Sequence, residues 1–338
     1  MTDGPHLRDP LSFRGRVELW AHESAVLAGN PLGDPHTREL PVYVPPGADA
    51  GSLPVVFLLA GLTGRGHNFL ESHPWKHGVV RAFDQAVAEE RCAPAILVLP
   101  DCFTRLGGSQ YVNSTAVGNY EDHVTDELVP FIDERYSSSG RHAVIGKSSG
   151  GFGAMHLSMR HPQLFEAAAS ISGDCHFEYC FGTEFLPALR GLQRYDSSPA
   201  KFLESFQETF ALKGDDHAIL NMIAMSACYS PSPGSELGFD LPFDLTTGAR
   251  IDSVWERWLA YDPLVTCEAH AGAWKGLTLL HLECGKSDEF HLQFGLRVLH
   301  QKLETLGIPH VHEEFEGGHF DTSARYQVCL ERVISALN

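Results

Sequence analysis

Short, continuous runs of apolar residues recur along the chain, and longer amphipathic segments lie between them. Such short runs are typical of strands that are covered on both faces of a sheet. These predicted strands occupy residues 55–59, 95–99, 141–145, 167–171, 277–282 and 311–315. Helical spacing of apolar residues predicts helices over 75–90, 120–136, 150–160, 290–306 and 323–337. Strand-like segments over 15–23 and 37–44 flank a turn-rich stretch and predict an opening antiparallel hairpin.

Strand and helix alternate through most of the chain. This alternation predicts an α/β fold with a mostly parallel central sheet and helices on both faces. A chain of 338 residues can form one such domain over residues 1–338. The alternation stops between residues 175 and 272, a segment far longer than an ordinary connection. We therefore expect a cap inserted into the domain over 175–272.

The predicted strand over 141–145 leads into a motif that places a serine between glycines, Gly146-Lys147-Ser148-Ser149-Gly150. It fits the G-x-S-x-G nucleophile elbow, in which the serine lies on a sharp turn between a strand and a helix. Small residues flank the serine in that motif because a Cβ there would collide with the packed strand and helix. The motif predicts Ser148 as a nucleophile and, with the order of the elements, an α/β-hydrolase fold.

Two other interpretations of the same residues are weaker. A P-loop, G-x-x-x-x-G-K-[ST], would need a glycine at position 141, which is Arg141. An ordinary Gly/Ser turn between a strand and a helix is the plain structural alternative. Ser149 fits poorly as the nucleophile because its own motif would need a glycine at position 147, which is Lys147.

A serine nucleophile needs a histidine that accepts its proton and a carboxylate that orients the histidine. In this fold the acid and then the histidine follow the serine, each in a loop after a later strand. Asp288 and Glu289 follow one predicted strand; the shorter Asp288 suits a turn, whereas Glu289 could begin the next helix. His319 follows the last strand behind two glycines, while His310 and His312 alternate along that strand, where histidines more often pack or face solvent. We expect Asp288 and His319 to complete a triad.

The tetrahedral intermediate of acyl transfer also needs two backbone N–H donors. One donor belongs to the residue after the nucleophile, which is Ser149. The second should come from the loop after the third strand, residues 60–64, with the N–H of Leu62 as the expected donor.

Composition narrows the classes of function. Hydrophobic residues make up 43% and charged residues 20% of the chain, as in ordinary globular proteins. A formal net charge of −18 would repel nucleic acids and anionic membranes, so neither is an expected partner. Eight cysteines without C-x-x-C spacing, and a start over 1–10 that does not resemble a secretory signal, favour a reducing cytoplasm. No ligand spacing such as H-E-x-x-H occurs, so no metal site is predicted.

Taken in order, these motifs resemble the esterase D and S-formylglutathione hydrolase branch of serine esterases, which also includes enterochelin esterases, feruloyl esterases and mycolyl transferases. The resemblance covers residues 55–173 and 277–332. It rests on the segments 58–63 with 68–69, 118–122, 127–133, the elbow and 314–319. It implies carboxylesterase or thioesterase chemistry through an acyl-enzyme, with no cofactor.

Three departures from the family bear on the substrate. S-formylglutathione hydrolases usually carry a cysteine where this chain has Gly64, and their elbow reads Gly-His-Ser-Met, where this chain has Gly-Lys-Ser-Ser. Their cap is also shorter. These departures argue against S-formylglutathione as the substrate.

The cap segment is rich in aromatic residues, most of which we expect to form its own core. Trp255 and Trp258 are three positions apart and would share one face of a helix. That face either lines the substrate pocket or packs inside the cap.

The sequence thus predicts a cytoplasmic serine carboxylesterase that acts on a small-molecule ester or thioester. An acyltransferase with the same triad, or a non-catalytic binding or scaffold protein on the same fold, is the alternative. The sequence does not identify the acyl and alcohol groups of the substrate. It also leaves the oligomeric state open, and a homo-oligomer is one of the alternatives.

Overall fold

The computed structural model describes residues 13–48, 51–71, 78–320 and 322–338. Residues 1–10 and 75–77, which enter the predictions above, lie outside the described residues. The strands are β1 (Arg16–Glu23), β2 (Thr37–Val44), β3 (Leu53–Leu59), β4 (Ile96–Val98), β5 (Asn113–Ser114), β6 (Gly118–Asn119), β7 (Ser138–Lys147), β8 (Phe165–Ile171), β9 (Leu279–Gly285) and β10 (Val311–Phe315). The helices are α1 (Val79–Ala88), α2 (Tyr120–Asp122), α3 (Val129–Arg135), α4 (Ser149–Arg160), α5 (Phe177–Cys180), α6 (Phe185–Leu192), α7 (Pro199–Thr209), α8 (Asp216–Tyr229), α9 (Asp252–Leu259), α10 (Pro263–Thr266), α11 (Ala271–Lys275), α12 (Leu292–Leu306) and α13 (Ser323–Leu337).

Eight of these strands form one sheet in the order β1-β2-β4-β3-β7-β8-β9-β10. Strand β2 runs antiparallel to both of its neighbours, β1 and β4, and the other neighbouring pairs from β4 to β10 are parallel. The short pair β5 and β6 lies outside this sheet. The prediction of a mostly parallel sheet that opens with an antiparallel hairpin is confirmed.

The central strands are buried on both faces, as their continuous apolar runs predict. In β3, Val55, Phe57 and Leu59 belong to one hydrophobic core, and Val56 and Leu58 to a second core on the opposite face. Helices α1 and α13 cover the second core, and helices α4 and α12 contribute to the first. The sheet therefore lies between two helical layers.

The helix predicted over 120–136 is interrupted. A π-helical segment, His123–Leu128, separates α2 from α3. Pro130 lies in the first turn of α3 and has no N–H to donate back to this segment, which weakens a regular helical ladder there. The Glu127 carboxylate in the segment accepts hydrogen bonds from the Ser24 hydroxyl and from the N–H of Ala25 and Val26.

The long segment between β8 and β9 is helical. It contains α5 to α11 and contributes many buried residues to the first core. Among the described residues, no helix is both long enough and apolar enough to cross a membrane.

Candidate active site

Ser148 lies at the turn between β7 and α4 with a backbone φ of 57° and ψ of −126°. A positive φ is costly for a residue with a Cβ and persists where the surrounding structure imposes it. Here the Ser148 N–H donates to Ile171 O at 3.0 Å, and the Ser148 carbonyl accepts from Phe152 N at 2.8 Å. The turn is therefore held from the neighbouring strand and from the helix that follows.

Both motif glycines are required by close packing beneath this turn. A Cβ on Gly146 would lie 2.1 Å from Gly150 O, and a Cβ on Gly150 would lie 2.1 Å from Leu59 O. Both contacts are with backbone atoms, which cannot move aside without displacing a strand or a helix. The local geometry is thus that of a nucleophile elbow.

His319 and Asp288 meet at the same edge of the sheet, after β10 and β9. The loops that carry them are joined by hydrogen bonds from Lys286 N to Phe315 O and from Ser287 N to Gly317 O. His319 Nδ1 lies 2.8 Å from Asp288 Oδ2, and both residues are buried. Burial favours the neutral acid, but the hydrogen bond and the charge of His319 outweigh it and hold the pKa of Asp288 below its ordinary value.

Glu289, the alternative acid, contacts a different part of the same histidine. Its Oε2 accepts a hydrogen bond from the backbone N of His319 at 2.6 Å. A Cβ on Gly318 would lie 2.6 Å from both Glu289 carboxylate oxygens, so the glycine before His319 is needed for this contact. Asp288 orients the ring, and Glu289 holds the loop.

The two other candidate histidines lie away from this site. His310 Nε2 is 2.7 Å from Nδ1 of His300 on α12, and the ring of His312 stacks on His300 at 4.4 Å. Neither borders the cavity described next.

A cavity of about 160 Å³ opens over Ser148 and is also lined by His319. Leu62 and Ser149, the two predicted amide donors, belong to its wall. The helical segment between β8 and β9 adds Cys180 and Phe181 to the lining, and its helix α8 adds His217 and Asn221. The structure therefore brings the predicted nucleophile, base and amide donors to one cavity.

Two charged residues of this cavity were not predicted as site residues. Burial lowers the pKa of Lys147, although Asp288, Asp174 and Glu289 oppose that shift with their negative charges. Burial raises the pKa of Asp174 to about 6, against the hydrogen bond from Gln110. Asp174 follows β8 by three positions, so its place at the carboxyl end of a parallel strand was a usable signal. His217 and Asn221 carry no comparable signal, since they reach the cavity from a helix far along the chain.

Trp255 and Trp258 do not line this cavity. The structure therefore corrects the alternative in which their shared face lines the substrate pocket. Their rings do share one face of α9, with centroids 5.5 Å apart, as the spacing predicts. That face is buried: the Trp258 indole N–H donates to the Ser230 hydroxyl at 2.9 Å, and that of Trp255 donates to Glu178 Oε1 at 2.9 Å. Phe181, which lines the cavity, packs edge-on against Trp258. Packing inside the inserted segment removes both large rings from water, which favours their buried position.

Two side-chain clusters elsewhere have a composition that suits metal ions. They are His22, His123 and Glu127, and His281, Glu283 and Cys329. In each, the carboxylate already accepts hydrogen bonds from protein donors: Ser24 in the first and Arg325 in the second. Neither cluster borders the cavity over Ser148.

A comparison with protein-family models matches residues 35–330 to the family described as Putative esterase. The chain belongs to this esterase family. Its fold, an α/β-hydrolase fold, is that of several solved esterases. Membership of the family makes the protein a carboxylic ester hydrolase.

Three of these structures indicate how far the likeness extends. A ferulic acid esterase is 20% identical, with a TM-score of 0.59, over 96% of this chain and 99% of the other. An S-formylglutathione hydrolase from Agrobacterium tumefaciens is 18% identical, with a TM-score of 0.58, over 97% of both chains. The fluorophosphonate-binding serine hydrolase F of Staphylococcus aureus is 15% identical, with a TM-score of 0.59, over 96% of this chain and 99% of the other. At these identities the likeness is one of fold.

Proposed function

We propose that Ser148, His319 and Asp288 are the catalytic triad of this esterase. One observation carries the proposal: Ser148, on its strained turn, shares a cavity with His319, whose Nδ1 contacts Asp288 Oδ2 at 2.8 Å. Because Nδ1 is occupied by Asp288, Nε2 is left to accept the serine proton. The lowered pKa of Asp288 supports this role, since an ionised acid stabilises the imidazolium that forms.

The reaction consists of two acyl transfers. Ser148 Oγ attacks the ester carbonyl carbon while His319 Nε2 takes its proton. The tetrahedral intermediate collapses, and the alcohol leaves with that proton. Water then attacks the acyl-enzyme with His319 again as the base, and collapse releases the acid and restores Ser148.

The N–H groups of Leu62 and Ser149 are proposed to bind the oxyanion in both steps. In the loop that carries Leu62, Thr63 N donates to Gly107 O at 2.7 Å and Gly64 N donates to Gly61 O at 2.9 Å. Within the part of the chain that the structure describes, Leu62 N has no backbone acceptor. Ser149 begins α4, where the first amides have no partner in the helix and favour negative charge.

We further propose that the insertion over 175–272 acts as a cap on the active site and that the substrate is a small-molecule ester. Cap residues Cys180, Phe181, His217 and Asn221 lining the cavity support the first point. A cytoplasmic location is also proposed, because all eight cysteines are buried free thiols, as is usual in a reducing compartment.

The test is labelling with a fluorophosphonate, followed by peptide mass spectrometry, together with hydrolysis of p-nitrophenyl acetate. We expect the label on Ser148 and loss of both labelling and turnover in Ser148→Ala. Ser149→Ala is the matched control and should keep most of both, because only its backbone N–H is used. A label on Ser149, or full turnover by Ser148→Ala, would contradict the assignment.

A further inference from the structure

Asp174 is a buried acid in the wall of the catalytic cavity, and the proposed reaction leaves it without a role. Its residue is 6% exposed, and it lies just after β8, beside the strand that leads to Ser148. The loop before it is pressed onto α4: a Cβ on Gly173 would lie 2.1 Å from Ser170 Oγ and 2.8 Å from Gly151 C. Backbone packing therefore holds the carboxylate in the cavity wall.

Protein partners satisfy this carboxylate only in part. Its side-chain donors are the amide of Gln110 and the hydroxyl of Ser149. Gln110 Nε2 donates to Asp174 Oδ2 over a long 3.3 Å, and the same amide group lies 3.0 Å from the Tyr229 hydroxyl. Gln110 itself has a φ of 54°, in the left-handed region, so the backbone is strained where it supplies this contact. None of the ion pairs found between described residues includes Asp174. A buried carboxylate that forms no direct ion pair is costly, and a ligand that donates a hydrogen bond would offset that cost.

The surroundings favour a neutral donor over a cation. Lys147 lines the same cavity, and His319 becomes positively charged during the reaction, so an ammonium group would be repelled. Helix α8 lines the same cavity with the Asn221 amide and with His217, whose pKa is lowered by burial. A hydroxyl group can donate to Asp174 and accept from such an amide, so it suits both lining residues.

A second, larger space lies next to the catalytic cavity and could take one half of the ester. A groove of about 790 Å³ borders the catalytic cavity at Thr63 and is lined by side chains that include Arg65, Phe103 and the cap residue Phe206. We assign the leaving alcohol to this groove because it is the larger of the two spaces. The acyl group, which must stay on Ser148 until water attacks, is left with the smaller cavity beneath the cap.

We propose that Asp174 is a specificity-determining residue that selects an acyl group carrying a hydroxyl close to the ester carbonyl. The substrate class is thus esters of short hydroxy acids. This inference rests on the proposed triad, because it assumes that the acyl group occupies the cavity over Ser148.

The experiment compares kcat/KM for methyl butanoate and methyl 3-hydroxybutanoate, and for methyl propanoate and methyl 2-hydroxypropanoate, by pH-stat titration. For at least one pair we expect the hydroxy ester to be preferred by about tenfold or more, as fits one hydrogen bond to a charged acceptor. Asp174→Asn should bring that ratio to within about twofold of one. Asp196→Asn is the matched control, because Asp196 is an exposed cap residue whose φ of 54° asparagine also adopts. The preference of this variant for the hydroxy ester should equal that of the wild type.

The outcomes separate this inference from the proposed function. Ser148-dependent hydrolysis of p-nitrophenyl acetate with no preference for either hydroxy ester overturns the inference alone, whether or not Asp174→Asn folds. Absence of labelling and of p-nitrophenyl acetate turnover overturns the proposed function. A higher kcat/KM for methyl 3-aminobutanoate than for methyl 3-hydroxybutanoate overturns the claim that Asp174 selects a neutral hydrogen-bond donor. The last outcome moves the hydroxyl to the alcohol half of the ester. If kcat/KM rises only for 2-hydroxyethyl butanoate relative to ethyl butanoate, the acyl group does not lie next to Asp174 and the inference is overturned.

Discussion

Asp288 and Glu289 are adjacent acids that hold His319 at different atoms, so replacing each by its amide should have very different effects. In Asp288→Asn, the amide NH₂ can face Nδ1, which favours the wrong tautomer, and the charge that balances the imidazolium is lost. We expect kcat/KM for p-nitrophenyl acetate to fall on the order of a thousandfold or more.

The expected cost of Glu289→Gln follows from its contact with His319 N at 2.6 Å. A hydrogen bond to a charged group contributes about 1.5–3 kcal/mol, but Glu289 is exposed and solvent screens its charge. Glutamine keeps an acceptor oxygen and loses only the charge, so about 0.5–1 kcal/mol of loop positioning is lost. At about 1.4 kcal/mol for each factor of ten, kcat/KM should fall about two- to fivefold.

The assay measures kcat/KM at neutral pH, the rate of fluorophosphonate labelling, and thermal unfolding for each variant. Glu316→Gln is the control, because Glu316 is an exposed acid in the same loop as His319 and pairs with Lys286. Its activity should match the wild type. A loss in Glu289→Gln as large as that in Asp288→Asn, with folding intact, would refute the assignment of Asp288 to the imidazole.

Two further predictions concern stability. Trp258→Ala should reduce the free energy of unfolding by about 3–5 kcal/mol, because the ring is fully buried, and should slow acetate and bulky aromatic esters in parallel; a loss confined to aromatic esters in an ester panel would instead restore a pocket role. Glu127→Gln should lower the melting temperature more at pH 7 than at pH 3. Burial disfavours the Glu127 charge, but hydrogen bonds from His123, Ser24 and Val26 hold its pKa at about 2. The resulting stabilisation is complete above the unfolded pKa of about 4.3 and is lost as the pH falls towards 2, so equal losses at both pH values in thermal melts would contradict it.

The local sequence determined the elbow and the sheet. Gly146 and Gly150 are needed because backbone atoms approach within 2.1 Å of where a Cβ would be, and this demand shows in the motif itself. Continuous apolar runs identified the buried strands because both of their faces are covered. The strand order then implied that acids and histidines after later strands gather at one edge.

The periodicity of apolar residues predicts which residues share a helix face, but not what that face contacts. The spacing of Trp255 and Trp258 correctly placed them on one face of α9, yet it carried no information on what that face contacts. Phe181, which directly follows the short helix α5 and lies more than seventy positions earlier, packs on Trp258 and itself lines the cavity. In the same way, the spacing over 120–136 predicted one helix, whereas a π-helical segment interrupts it, and Glu127 in that segment is hydrogen-bonded to the β1–β2 connection.

The sequence favoured Asp288 over Glu289 only by side-chain length. The tertiary structure adds that Asp288 contacts the ring of His319 and Glu289 its backbone N, which depends on how the loop after β9 is folded. It also brought Asp174, Lys147 and Asn221 to the cavity over Ser148. These residues come from the end of β8, the end of β7 and a helix of the inserted segment. Sequence determines elements through local spacing and steric demands, whereas the lining of a cavity depends on contacts between elements distant in the chain, for which local spacing has no signal.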